Sequence, residues 1–214
     1  MSDSSEKGRI EYRLLRQYSG LAGVDEVGRG CLAGPVYAAA VVLDYERLTR
    51  LDQKTRNLIR DSKTLSARQR AQILPVIRDE LALASCVAWS GPRDIEALGI
   101  VGATSEAMHK SLAGLSIPWQ YLLIDGHRPL DGFQGPQEFV IKGDQLCYCI
   151  AAASILAKEA RDQFMKEQAD LYPGYGFESH VGYGTKKHLD ALEAQGVCTL
   201  HRRNFAPVMK RAQV

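Results

Sequence analysis

Gly23-Val24-Asp25-Glu26-Val27-Gly28-Arg29-Gly30 decides how the rest of this 214-residue chain is read. An apolar run, Leu21 to Val24, enters a pair of carboxylates. Gly28 and Gly30 then mark a tight connection with an arginine between them. The next apolar run, Val36 to Leu43, is almost continuous, as a strand buried on both faces is. Two strands joined by a glycine-rich turn read as a hairpin. Neighbours on a strand point to opposite faces, so Asp25 and Glu26 serve one site only if the strand ends there.

Two further carboxylates close similar apolar runs: Leu122-Leu123-Ile124-Asp125-Gly126 and Ile141-Lys142-Gly143-Asp144. Acids at strand ends, far apart in sequence, suggest a folded acidic cluster. Such a cluster repels itself unless a hard divalent cation joins it. Phosphoryl chemistry with Mg²⁺ is the sharpest reading. Plain alternatives stand beside it. Asp25 and Glu26 suit a solvated turn, and Asp125 suits a turn before glycine. Asp144 precedes a long helical pattern, and spacing alone favours an N-cap over a ligand.

Other polar residues extend the candidate site. Glycines at 28 and 30 let backbone amides approach a ligand, and Arg29 suits bidentate contact with phosphate. Lys63 and Lys158 are phosphate candidates against a default of simple solvation, and Ser154 lies one helical turn before Lys158. Tyr183, framed by Gly182 and Gly184, suits stacking on a sugar or base. His180 reads either as a phosphate contact or as a hydrogen-bonded loop residue.

Strands are further expected at Leu81–Trp89, Tyr121–Asp125 and Glu138–Lys142. The spacing Ser66 to Gln69 predicts a capping box opening a helix, with a kink or break at Pro75. A short helical turn at Asp94–Leu98 precedes a helix over Ile100–Leu112. Apolar residues at Leu146, Ile150, Ala153, Ala157, Ala160 and Phe164 predict one helix over 145–169. Residues 172–184 read as an aromatic loop, and Thr185 caps a helix ending near Gly196. Residues 1–18 read as a loose lead-in to a single domain over 19–214.

Apolar residues make up 45% of the chain and charged residues 24%, which is globular. A net charge of +2 does not by itself argue for nucleic acid. From Tyr183 onward, six basic side chains (Lys186, Lys187, Arg202, Arg203, Lys210, Arg211) face two acids, Asp190 and Glu193. That stretch suits phosphates or a solvated face, the latter favoured on charge alone. The five cysteines form no CxxC pair and read as reduced thiols, so neither zinc nor a disulfide framework is expected. No apolar run has the length of a membrane span. A soluble, cytoplasmic monomer is expected.

In chain order, GVDEVGRG (23–30), AGPV (33–36), DSK (61–63), IDG (124–126), KGD (142–144), AAASILAK (151–158), YPGYGF…H-x-GYGT (172–185) and HRR-x-FAPV (201–208) resemble the motifs of type 2 ribonuclease H, ribonuclease HII. The resemblance spans roughly residues 20–208. It implies an α/β, ribonuclease H-like fold: a central mixed five-stranded sheet flanked by helices, followed by a helical C-terminal part. It implies an endonuclease that hydrolyses the RNA strand of RNA–DNA hybrids. It further implies incision 5′ of single ribonucleotides in duplex DNA, as in ribonucleotide excision repair, leaving 3′-hydroxyl and 5′-phosphate ends.

By the same resemblance Asp25, Glu26, Asp125 and Asp144 are the catalytic carboxylates and hold two Mg²⁺ or Mn²⁺ ions. Gly28-Arg29-Gly30 and Tyr183 resemble the elements that sense the ribose 2′-hydroxyl. This implication sets aside the N-cap preference for Asp144. Cys31, His127 and Asn204 depart from the residues frequent in the family, which are proline, asparagine and serine. None of the three replaces a carboxylate. A DNA-directed nuclease on the same fold and a non-catalytic hybrid-binding protein remain as alternatives. Cleavage of an all-DNA duplex, or metal-independent binding without cleavage, distinguishes them.

Overall fold

The computed structural model describes residues 7–211. The chain enters through a short helix, Arg9–Leu14 (α1), where a loose lead-in is expected from sequence. Its tie to the core is physical: Glu11 and Leu14 are buried, and Leu14 joins the main apolar cluster. The first six residues of the expected lead-in lie outside the described residues.

Leu21–Val27 (β1) and Val36–Leu43 (β2) pair antiparallel as a hairpin. Tyr45–Arg50 (α2) and Gln53–Arg56 (α3) follow, each capped by an aspartate side chain. A 3₁₀ turn at Ser62–Thr64 leads to Ala67–Pro75 (α4). The capping box there is formed: Ser66 Oγ accepts from Gln69 N, and Gln69 Oε1 accepts from Ser66 N. After Pro75 the coil widens into a π-helical turn, Val76–Leu81, as a missing N–H and a bulky ring dictate.

Ala82–Ser90 (β3) is an edge strand, followed by Pro92–Ala113 (α5). Gly99 has φ 69° and breaks α5 into a short first piece and a longer second one, matching the two pieces read from sequence. Tyr121–Asp125 (β4) and Gln137–Val140 (β5) complete the sheet. Its order is β3-β2-β1-β4-β5. β1 pairs antiparallel with β2 and parallel with β4, and β4 pairs parallel with β5, so the sheet is mixed.

The expected helix over 145–169 is two helices, Gly143–Leu146 (α6) and Tyr148–Leu171 (α7). Cys147 separates them in extended conformation, φ −120° and ψ 137°. Asp144 is not an N-cap: Lys142 holds that position with φ 56°, and Asp144 lies in the first turn. Phe177–His180 (α8), Lys186–Gln195 (α9, capped by Thr185) and Ala206–Met209 (α10) form the C-terminal part.

The helices α7 and α5 cover opposite faces of the sheet. Leu21, Ala39, Val41 and Leu123 meet Ile150 and Ala153 of α7. Ala22, Val24, Ala40 and Ile124 meet Ala107 and Met108 of α5. Each large aliphatic side chain buried in these layers contributes roughly 1.5–3 kcal/mol. No helix among the described residues is long and apolar enough to cross a membrane. All five cysteines are free.

Candidate active site

The parallel register Val24↔Ile124 brings Asp25 beside Asp125 at the carboxyl ends of adjacent strands. In open α/β sheets ligands bind at such ends, where strand order reverses. β1 does not end at Asp25, as a shared site for the two acids requires; it runs to Val27. Asp25 therefore shares the α7 face with Leu21 and Val27, while Glu26 shares the α5 face with Val24. The pair straddles the sheet.

Asp25 is 5% exposed. Its Oδ1 accepts from Glu26 N at 2.7 Å, and the Ser154 hydroxyl also hydrogen-bonds its carboxylate. Ser154 is itself buried and 2.9 Å from the Ser62 hydroxyl. The structure thus places Ser154, expected as a substrate contact, behind a carboxylate. Glu26 accepts from Arg29 Nη1 at 3.1 Å. Asp125 Oδ1 accepts from Gly143 N at 2.7 Å and also hydrogen-bonds the Asp144 amide, which draws α6 and its acid to the end of β4.

Burial is the largest cause raising all four carboxylates above their usual range. For Asp25 the charges of Glu26 and Asp125 add to it. Asp144 is raised to about 6 by burial and by the charges of Asp125 and Asp61. Asp61 hydrogen-bonds Asp144, a fifth acid that spacing did not single out. Its only sequence signal is the DSK triplet, whose Lys63 lowers Glu26, Asp125 and Asp144 as the local counter-charge.

Among the described residues no three acids, histidines or cysteines form a ready-made cage for a metal ion. The acids meet in pairs. Their donor chemistry still fits a hard cation: the donors are all oxygen, and each carboxylate is destabilised by burial and, for Asp25 and Asp144, by its neighbours. Mg²⁺ retains waters and takes one or two carboxylates together with phosphate oxygens, so paired acids suffice. A cleft of about 350 Å³ runs from Glu26, Arg29 and Asp125 past His127 and Arg128 to Thr104 of α5.

The Gly28-Arg29-Gly30 turn is held from behind. Arg202, fully buried, donates to the carbonyls of Gly28 (2.7 Å), Arg29 (2.9 Å) and Gly34 (2.9 Å). Arg161, equally buried, donates to Pro35, Ala33 and Val181 carbonyls. With those carbonyls turned inward, the Arg29 and Gly30 amides donate to no acceptor among the described residues. Tyr183 lies 5.8 Å over the Arg161 guanidinium and hydrogen-bonds Cys31.

Two expectations change here. His180 is 7% exposed; its Nε2 donates to Tyr175 O and its Nδ1 accepts from Gly182 N. It is a loop-bracing residue, because burial and two backbone partners leave it no reach to phosphate. Lys158 is not a free cation: its Nζ donates to Asp162 at 2.7 Å, and Asp162 also pairs with Arg70, which contacts Glu159 as well. The basic C-terminal stretch is largely the solvated face favoured on charge, with Lys186 on Asp190 and Lys187 on Glu178 in exposed pairs, while Arg202 is buried.

Behind Tyr183 lies a histidine relay with one consistent proton assignment. His188 Nδ1 is 2.9 Å from the Tyr183 carbonyl, so it carries the proton and leaves Nε2 as acceptor. His201 Nε2, 3.1 Å away, donates to it, and His201 Nδ1 accepts from Cys198 N. Both rings are neutral. Burial pushes each down to about 4.

A family model described as Ribonuclease HII matches residues 22–208. Ribonuclease HII of Synechococcus sp. (strain CC9902) is 49% identical over 187 residues, covering 87% of this chain and 92% of that one. The ribonuclease H2 of Pyrococcus horikoshii OT3 superposes with a TM-score of 0.77 at 23% identity, covering 91% of this chain and 97% of that one. Bst-RNase HIII, solved in complex with Mn²⁺, superposes with a TM-score of 0.67 at 20% identity over 91% of this chain and 69% of its own.

Proposed function

The chain belongs to the ribonuclease HII family and is thereby a hydrolase of the ribonuclease H class; on that premise we propose that it cuts the RNA strand of RNA–DNA hybrids and incises 5′ of single ribonucleotides in duplex DNA, leaving 3′-hydroxyl and 5′-phosphate ends. The observation that carries this reading is the pairing of carboxylates where β1 and β4 separate, Asp25 beside Asp125 and Asp144 drawn to Asp125 by the α6 amides, next to a turn whose Arg29 and Gly30 amides donate to no acceptor among the described residues.

Asp25, Glu26, Asp125 and Asp144 are the residues that would hold Mg²⁺ or Mn²⁺, as two ions in the reactive complex. Bound there, the ions would neutralise phosphate charge and lower the pKa of a coordinated water. The chain's own residues do the rest. Ser154 and the Glu26 amide fix the Asp25 carboxylate. The α6 amides fix Asp125. Lys63 supplies positive charge beside the acids, suited to the phosphate backbone. The amides of Arg29 and Gly30 are placed for a ribose 2′-hydroxyl, and Tyr183 supplies a ring for the adjoining nucleotide. A deoxyribose leaves those amides unpaired, which is the physical basis of discrimination. A cytoplasmic monomer with reduced thiols completes the reading.

The test is cleavage of a duplex carrying one ribonucleotide, beside an all-DNA duplex, in Mg²⁺ and in EDTA. Metal-dependent incision 5′ of the ribonucleotide, lost in Asp25→Asn, is the expected result. Cleavage of the all-DNA duplex would overturn the substrate assignment.

A further inference from the structure

Residues 7–14 precede residue 22, where the family match begins, yet they grip the segment that carries Asp144. Lys7 Nζ donates to the Asp144 carbonyl at 2.8 Å and sits 5.2 Å from the Tyr148 ring centroid. Gly8 N donates to the Leu146 carbonyl at 2.8 Å. Glu11 Oε1 accepts from Cys149 N at 2.9 Å and from the Tyr45 hydroxyl at 3.0 Å. Residues 144, 146 and 149 are thus held in succession by residues 7, 8 and 11.

Two features of that segment call for an external hold. Lys142 is a non-glycine residue with φ 56°, a conformation that persists only where the surroundings over-determine it. The N-terminus of α7 has no cap of its own, since the Cys147 side chain makes no cap bond. Glu11 supplies the missing acceptor from 138 residues away, and an acid there also suits the helix dipole. The Asp144 peptide is therefore fixed from two directions: Asp125 takes the amides of residues 143 and 144, and Lys7 takes the carbonyl of 144.

We propose that Lys7 is a positioning residue for Asp144, acting through the Asp144 carbonyl, with Glu11 anchoring the segment that presents it. This rests on Asp144 being one of the metal-holding carboxylates. Lys7 is also a cation near a cation site, and that makes the sign of its effect informative. A lysine acting through charge alone repels the metal, so removing it tightens binding. A lysine that positions Asp144 does the opposite.

The experiment is titration of full-length, metal-free protein with Mn²⁺ by calorimetry, for wild type, Lys7→Met, Lys7→Arg and Asp144→Asn, with thermal melts alongside. Lys7→Met is expected to weaken Mn²⁺ binding about tenfold, as loss of a group that orients a metal ligand does. Its melting temperature should stay within about 2 °C of wild type. Lys7→Arg should recover most of the binding. Unchanged or tighter binding in Lys7→Met, with binding weakened in Asp144→Asn, overturns the proposal and leaves the acidic site standing. Unchanged binding in Asp144→Asn overturns the role of Asp144 and the proposal with it.

Discussion

Gly28 and Gly30 flank the same arginine for different reasons. Gly28 has φ 91°, and a Cβ there would lie 2.2 Å from Arg161 Nε. Gly30 has no heavy atom within 4 Å of a built Cβ. The fold demands the first glycine, whereas only something outside the chain could demand the second. Gly28→Ala is expected to cost about 2–4 kcal/mol, seen as a lowered denaturation midpoint. Gly30→Ala should melt with wild type and lose tenfold or more in cleavage of a single-ribonucleotide duplex. Undiminished cleavage would remove that backbone from substrate recognition. The acids make a second contrast. Asp25 is raised above its unfolded value, so it binds its proton more tightly when folded. Its ionisation therefore penalises the fold, relief arriving only as pH falls toward the folded value. Asp25→Asn should abolish cleavage yet raise the melting temperature of the metal-free protein at neutral pH. A lowered melting temperature would contradict that. The carboxylates were legible in sequence because each closes an apolar run. Asp61, Arg161 and Arg202 were not, because what they do depends on partners up to 174 residues away.

At the scale of the element, periodicity located the strands and most helices but not the break at Cys147. The apolar spacing runs on through residues 146–150 whether or not the backbone does, since Cys147, Tyr148 and Cys149 are buried in either case. The break comes from tertiary pulls: Asp125 on the α6 amides and Glu11 on the α7 amide. The same cause defeated the N-cap reading of Asp144. By contrast the Ser66 capping box, a purely local device, formed as read. Glu11 is fully buried, so its loss is expected to be felt at α7. Glu11→Ala should destabilise by about 2–4 kcal/mol in urea unfolding, combining a lost cap with an unpaired amide. Glu11→Gln retains an acceptor of the same shape and should cost less than half as much. Equal losses would show that the carboxylate charge, not the cap, is what matters there.

At the scale of the whole molecule, Arg161 and Arg202 tie the C-terminal part to the connection between β1 and β2, and the His188–His201 relay holds the C-terminal part to itself. Both histidines are held near 4, well below their unfolded value. Above about pH 6.5 both states are neutral and nothing is gained or lost. Below it the unfolded chain takes up protons that the folded one refuses, so stability falls as pH drops from about 6.5 to 4. The raised carboxylates act in the opposite sense over part of that window. The comparison that isolates the relay is wild type against His188→Asn/His201→Gln, whose amides can keep the donor positions. The stability gap between them should narrow from pH 7 to pH 5; a constant gap would mean that the rings do not resist protonation. Sequence placed His201 in a motif but gave no sign of His188 or that the two rings face one another.

The Arg202 clamp also bears on when the enzyme comes to life. Arg202 reaches back 174 residues to the Gly28 carbonyl. During synthesis the amino-terminal portion leaves the ribosome first. All four carboxylates are therefore translated while the guanidinium that holds the Gly28–Gly30 turn does not yet exist. A nascent chain carries its acids before the arginine that holds the Gly28–Gly30 turn, and the two unite only once Arg202 has been released.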